Sequence, residues 1–224
     1  MLDLAEGKPL RDCCYRIEWK AKSRATAPSS AAQRWLILTD RERIGDHLAQ
    51  RLREAGRTVS VVQPGEDPGR ELQDCSAIVH LWSLESDSRD ACASVARACE
   101  SRARLWVVTR GAQVDVRAPE QSPVWGFCRV AALEHPDTWG GIIDLDPSAD
   151  VEHSVSMLLP EILTNDGEDQ VAFRAGDRWV PRLAPFVAAE TRPLRLRPDA
   201  IYLITGGAGS LGLATARWMI NKGA

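Results

Sequence analysis

No run of this 224-residue sequence approaches 18 consecutive apolar residues, and no basic segment leading into an apolar stretch opens it. A membrane span and a secretory leader are therefore not expected. Charge of neither sign dominates. The 28 Lys and Arg are scattered against 31 Asp and Glu, a net charge of -3, without the clustered basic footprint that nucleic-acid binding requires. The four histidines stand apart, and none of the six cysteines (Cys13, Cys14, Cys75, Cys92, Cys99, Cys128) lies in C-x-x-C spacing. These absences argue against a metal site and a disulfide framework, and for free thiols in a cytoplasmic protein. With 44% hydrophobic residues, the chain has the composition of a soluble globular protein of one or two domains.

What is present is an alternation of strand and helix. Tyr15, Ile17 and Trp19 alternate with charged residues as in a half-buried strand. A strand is expected at 35–39 and a helix at 42–55 with Ile44, Leu48, Leu52 and Ala55 on one face and Gly56 ending it; a buried strand follows at 59–62. Further strands are expected at 77–82 and 105–109, around a helix at 88–104 that places Cys92 and Cys99 in the core. Ser122 and Pro123 read as cap and first residue of a helix to Glu134, followed by a strand at 142–145 and a helix through Val151, Val155, Leu158, Leu159 and Ile162. Residues 171–174 and 178–183 read as a hairpin about Ala175-Gly176-Asp177. The alternation predicts an α/β fold, a Rossmann-like parallel sheet with helices on both faces. Residues 1–34 read as a leader strand and linker, 35–186 as the main domain, and the proline-bearing, charged 187–199 as a second linker.

The remaining segment, 200–224, carries the chemistry. Residues 201–204 are apolar enough for a buried strand, and a helix is expected at 211–222 with Leu211, Ala214, Thr215, Trp218 and Met219 facing inward. Between them Gly207, Gly209 and Gly212 keep G-x-G-x-x-G spacing: a tight turn, a close backbone approach for pyrophosphate, and helix packed on strand. The helix N-terminus adds free N–H groups and a positive dipole end. The alternative is a glycine turn without a ligand. At the first junction, by contrast, the chain reads Asp40-Arg41-Glu42-Arg43-Ile44-Gly45, with two acidic residues where a phosphate cradle needs neutral backbone. That unit is expected to be structural.

Four stretches carry a family resemblance: 15–19 (YRIEW), 125–136 (WGFCRVAALEHP), 139–145 (WGGIIDL) and 202–212 (YLITGGAGSLG). Together they resemble the ketoreductase region of modular polyketide synthases. In that family a structural half without cofactor precedes a catalytic half of the short-chain dehydrogenase type, which binds NADPH and reduces a β-ketoacyl group on an acyl carrier protein. The resemblance implies that Thr205, Gly206, Gly207, Ala208, Gly209, Ser210, Leu211 and Gly212 form the pyrophosphate turn, with Ser210 where many such enzymes have glycine. The family's catalytic Tyr and Lys sit four residues apart. Here Tyr15 is followed at that distance by Trp19 and Tyr202 by Gly206, so no catalytic residue is assigned. The expected partners are the remainder of the ketoreductase, in cis or in trans, and a phosphopantetheine-bearing carrier protein. Two readings follow: part of a working ketoreductase, or a non-catalytic structural or docking remnant of a split synthase. A stand-alone dinucleotide-binding protein ranks third, because one strand-turn-helix unit cannot build a two-lobed site.

Overall fold

A computed structural model of the protein describes residues 14–24, 32–85, 87–164, 166–186 and 194–224. Most of the expected leader and parts of both expected linkers (1–13, 25–31 and 187–193) lie outside the described residues. The chain divides into two compact units, Ile17–Arg182 and one formed by Met1–Arg16 with Leu183–Ala224.

The larger unit is built on a mixed sheet. Its strands are β1 (Tyr15–Ala21), β2 (Arg34–Leu38), β3 (Thr58–Val62), β4 (Ala77–His80), β5 (Arg104–Arg110), β6 (Trp139–Leu145), β7 (Gln170–Arg174) and β8 (Asp177–Pro185), in the order β1-β8-β7-β6-β5-β4-β2-β3. Pairings among β2 to β7 are parallel, and β8 returns antiparallel to β7. The helices are α1 (Ile44–Glu54), the single turn α2 (Glu71–Asp74), α3 (Ser88–Cys99), α4 (Ser122–Glu134) and α5 (Val151–Leu163).

Side-chain alternation splits the core into two. Trp35 and Ile37 of β2 with Trp106 and Val108 of β5 face Ile44, Leu48 and Leu52 of α1 and Val155, Leu158 and Ile162 of α5. Leu36, Leu38, Leu105 and Val107 face the other way, toward Ala91 and Val95 of α3 and Val124, Trp125 and Cys128 of α4. Both sheet faces are thus covered, which is why the central strands read as continuous apolar runs. Each buried Leu or Ile contributes roughly 1.5–3 kcal/mol. Gly56 ends α1 with φ 78°, and the two-residue loop Ala175-Gly176 has φ 51° and 82°, the positive pair of a type I′ hairpin turn.

Two family motifs meet in the core. Asp144 of β6, fully buried, accepts hydrogen bonds from Thr109 Oγ1 (2.6 Å) and from the N–H groups of Ala112 (2.9 Å) and Gln113 (3.0 Å), and it pairs with Arg174 of β7. Thr109 Oγ1 in turn accepts from Trp125 Nε1 at 2.9 Å. One chain of polar contacts therefore joins the 125–136 and 139–145 segments. Gly140 is equally constrained, since a Cβ there would stand 2.6 Å from the Trp106 ring. A second network fixes the segment after β1: Arg178 makes two hydrogen bonds to Glu161 (2.8 and 2.7 Å), Arg24 reaches the same carboxylate, and Lys22 and Arg182 share Glu168. Arg182 first, then Lys22, hold the Glu168 carboxyl down at about 2 against the opposing effect of burial.

The structure departs from the sequence expectation at several points. Tyr15 and Ile17 are 56% and 52% exposed, so Trp19 alone of the three turns toward the core, with its ring 5.8 Å from that of Trp125. Strand β3 is a sheet edge and only Val62 of it is buried, because among the described residues no strand pairs with its outer side. Helix α3 stops at Cys99, which is buried, while Cys92 is half-buried. Ser122 is not a cap: it already has helical φ and ψ, continuing from a short 3-10 turn over Pro119–Gln121.

The smaller unit contains α6 (Ser210–Asn221). Residues 201–204 form no regular element and pair with no strand among the described residues, and Ile201 and Leu203 are 100% and 91% exposed. The buried strand expected there is not formed, since a strand needs a neighbour to satisfy its backbone groups. The stripe expected to face inward on α6 is largely open among the described residues: Leu211 is 81% exposed and Trp218 47%, Thr215 and Met219 are half-buried, and only Gly212 is buried.

Candidate functional site

In parallel α/β sheets the ligand-binding position lies at the carboxyl ends of the strands where the order reverses. Here that is between β2 and β4. The structure fills it with the chain's own acids. Asp40, 2% exposed, follows β2 and accepts the N–H of Gly45 in the first turn of α1 at 2.8 Å, while Glu85 takes the N–H of Arg41. Carboxylates thus occupy the donors a phosphate would use. Gly45 is required for packing, because a Cβ there would lie 2.2 Å from Thr39 Oγ1. Asp40 as a plug was not foreseen in detail; the only sequence signal was an acid at the end of a strand ahead of a helix.

The second junction is different. Thr205 to Ala208 form a turn, Gly206 takes φ 67°, and the Gly209 N–H returns to the Gly206 carbonyl at 2.9 Å. Gly209 caps α6 in extended geometry, and Ser210, Leu211 and Gly212 follow as its first turn. A Cβ on Gly212 would stand 2.4 Å from the Gly206 carbonyl oxygen and 2.6 Å from Gly207 Cα, so the helix can sit this close only on glycine. No side chain caps this helix, and its first turn holds no acidic residue. The eight residues named from the sequence thus run from the turn through the cap into the first turn of α6, with Thr205, Gly206, Ala208, Gly209, Ser210 and Leu211 at the surface. The arrangement fits an anion held on backbone N–H groups at a positive dipole end.

Nothing comparable to an acid–base pair accompanies it among the described residues. The Tyr202 hydroxyl accepts the Arg197 N–H at 2.7 Å and so closes a local turn. His80 is fully buried between Ser94 (2.6 Å) and Ser83 (3.3 Å), and burial lowers its pKa to about 4, leaving it neutral at pH 7. Burial pushes the Cys75 and Cys99 thiols up to about 11, away from nucleophilic use. No helix is long and apolar enough to cross a membrane among the described residues.

Residues 17–183 match the family described as the Rossmann fold domain of polyketide synthase extender module SpnB, and residues 200–224 match the KR domain family. The chain belongs to the ketoreductase region of modular polyketide synthases. This ketoreductase region is 34% identical over 229 residues to the pikromycin polyketide synthase component PikAIII of Streptomyces venezuelae, covering 95% of the chain and 14% of that protein. It is 32% identical over 248 residues to a phenolphthiocerol/phthiocerol polyketide synthase of Mycobacterium tuberculosis, covering 98% of the chain and 16% of the relative. Among solved structures it is similar to the first ketoreductase of the tylosin synthase, with TM-score 0.69 and 28% identity over 97% of the chain and 50% of that structure. It therefore spans about one-seventh of the curated relatives' length and half of a solved ketoreductase.

Proposed function

We propose that this chain is the structural half and the opening of the catalytic half of a polyketide synthase ketoreductase that reduces a β-ketoacyl group on an acyl carrier protein with NADPH. In this reading residues 35–186 are the structural subdomain, 187–199 the linker, and 200–224 the start of the cofactor-binding subdomain, in the cytoplasm. The observation that carries it is the contrast between two helix N-termini. That of α1 is filled by Asp40, while that of α6 is uncapped and closed onto its turn at Gly212. Thr205, Gly206, Gly207, Ala208, Gly209, Ser210, Leu211 and Gly212 would hold the pyrophosphate on backbone N–H groups, by position in the turn. When bound, NADPH supplies the hydride. The Tyr, Lys and Ser that handle the carbonyl oxygen come from the remainder of the ketoreductase, supplied in cis or in trans.

A second reading, a docking remnant without catalysis, draws support from the apolar surface of the smaller unit, where Ile201, Leu203, Leu211 and Leu213 are exposed. Reduction of a model β-ketothioester separates the two. The working-half reading predicts no turnover by the chain alone, turnover when the polypeptide encoded immediately downstream is added, and loss of that turnover with Gly212→Val. Turnover by the chain alone, or turnover indifferent to Gly212→Val, would sink it.

A further inference from the structure

The plug at α1 leaves a cleft open beside it. At the carboxyl ends of β2, β4, β5 and β6 the larger unit encloses about 270 Å3, with Asp40, Glu42, Glu85, Arg110, Arg117 and Gln121 in its wall. That is just under the roughly 300–1,000 Å3 of sites for drug-sized ligands, and so is room for a smaller molecule. Two groups in the wall are buried and unmet. Asp40 gives Oδ1 to the Gly45 N–H, but its Oδ2 has no hydrogen-bond partner among the described residues. Arg110 donates from its backbone N–H to Gln121 Oε1 at 3.0 Å and from Nη1 to Glu42 at 2.5 Å, while its Nε and Nη2 have no partner among the described residues. Buried polar groups of native folds are almost always paired, so each calls for a partner.

The unmet groups define the partner's chemistry. Nε and Nη2 form one edge of the guanidinium, the edge with which Arg178 grips both oxygens of Glu161 at 2.8 and 2.7 Å. That edge matches a carboxylate in bidentate geometry. Asp40, 2% exposed, carries a charge that no cation of the described residues pairs, and an ammonium would meet its Oδ2 with a charge-assisted bond. Elsewhere the wall is balanced, since Glu42 pairs with Arg110 and Glu85 with Arg41 at 3.3 Å. Asp40, Glu42 and Glu85 against Arg41, Arg110 and Arg117 sum to zero, which a zwitterion preserves and a plain anion or cation does not. The loop that carries Arg117 to the rim is strained: Val114 and Asp115 take φ 32° and 54°, and Arg174 Nε holds the Val114 carbonyl at 2.7 Å. Strain of this kind clusters at ligand clamps.

We propose that this cleft binds a small amino acid zwitterion, its carboxylate on the Nε and Nη2 edge of Arg110 and its ammonium on Asp40 Oδ2. The site is separate from the glycine turn and does not depend on the NADPH reading. Glu42, whose side chain is 64% exposed, sits on the rim and competes for the same guanidinium. It swings out as the ligand carboxylate enters, which opens the buried edge.

Two-dimensional NMR of the full 224-residue chain tests this, with the Arg110 Nε–H and the Gly45 amide as reporters and glycine, β-alanine and γ-aminobutyrate as probes of the spacing. At least one of the three should give saturable shifts at both reporters. Acetate, which lacks the ammonium, and ethylammonium, which lacks the carboxylate, should bind at least about tenfold more weakly, the loss of one charge-assisted hydrogen bond. Arg110→Gln should abolish the binding. Glu42→Gln, a change on the exposed rim, should strengthen it about threefold by removing the competing carboxylate. No saturable shift with any of the three amino acids, shifts that leave the Arg110 and Gly45 signals in place, or acetate as strong as the best amino acid overturns the proposal. So does binding that survives Arg110→Gln or is not strengthened by Glu42→Gln.

Discussion

Asp144→Asn is the perturbation with the most legible consequence in the larger unit. Asp144 is fully buried and carries the negative charge opposite Arg174, whose side chain is 10% exposed. An asparagine keeps one acceptor for Thr109 and Ala112 but turns an amide N–H2 toward the Gln113 N–H and the guanidinium, donors facing donors. Breaking a buried pair from one side costs about 3–5 kcal/mol. Arg174 keeps hydrogen bonds to the carbonyls of Val114 (2.7 Å), Leu145 (3.0 Å) and Phe173 (2.6 Å), which places the expected loss at the lower end, about 3 kcal/mol. Against a total of about 5–15 kcal/mol this is a large fraction. With an m-value of roughly 2–3 kcal/mol/M, the urea midpoint should fall by about 1–1.5 M in tryptophan fluorescence. Adding Arg174→Met removes the stranded cation and should restore at least about 1 kcal/mol. A midpoint shift below about 0.3 M for Asp144→Asn would refute the central role given to this carboxylate.

Three further outcomes are expected. His80 is neutral in the fold, with its pKa lowered by burial from 6.5 to about 4. Between those values the unfolded chain binds the extra proton, so stability is complete above about pH 6.5 and falls as pH drops toward about 4, by about 3 kcal/mol. Urea melts from about pH 7 to about 4.5 should show this slope and His80→Gln should flatten it; equal slopes in both proteins would show that His80 is not its source. Gly140→Ala forces a methyl to within 2.6 Å of the Trp106 ring and should destabilise by about 1–3 kcal/mol, read as a lowered melting midpoint. Gly212→Val, by contrast, lies in the smaller unit and should leave the main unfolding transition of the larger unit in place while abolishing NADPH binding by the completed ketoreductase.

The period-two and helical patterns were enough to locate most strands and helices, because burial on both sheet faces writes itself into runs such as 35–38 and 77–80. The glycine turn was equally legible: Gly207, Gly209 and Gly212 are constrained by contacts within eight residues of one another. What could not be read locally depends on distant partners. Asp144 draws its hydrogen bonds from residues 31, 32 and 35 positions before it and its ion partner from 30 after, so nothing near it in the sequence marks it as the centre of a network. The 201–204 segment has strand composition, but a strand is a property of two segments and its neighbour is missing from the described residues. The stripe of α6 is likewise largely open among the described residues. Edge position decided β3 in like manner: Val59 and Val61 pack only partly while Thr58 and Ser60 face solvent.

If the glycine turn at 205–212 is a cofactor element that works only in a completed fold, NADPH binding must depend on the remainder of the ketoreductase, supplied in cis or in trans. Calorimetric titration of NADPH into the chain alone, and into the chain mixed with the polypeptide encoded immediately downstream, reads this dependence. No measurable binding to the chain alone is expected, and saturable binding to the mixture, lost with Gly212→Val. Saturable binding to the chain alone, or binding to the mixture that survives Gly212→Val, would show that the turn does not have this role.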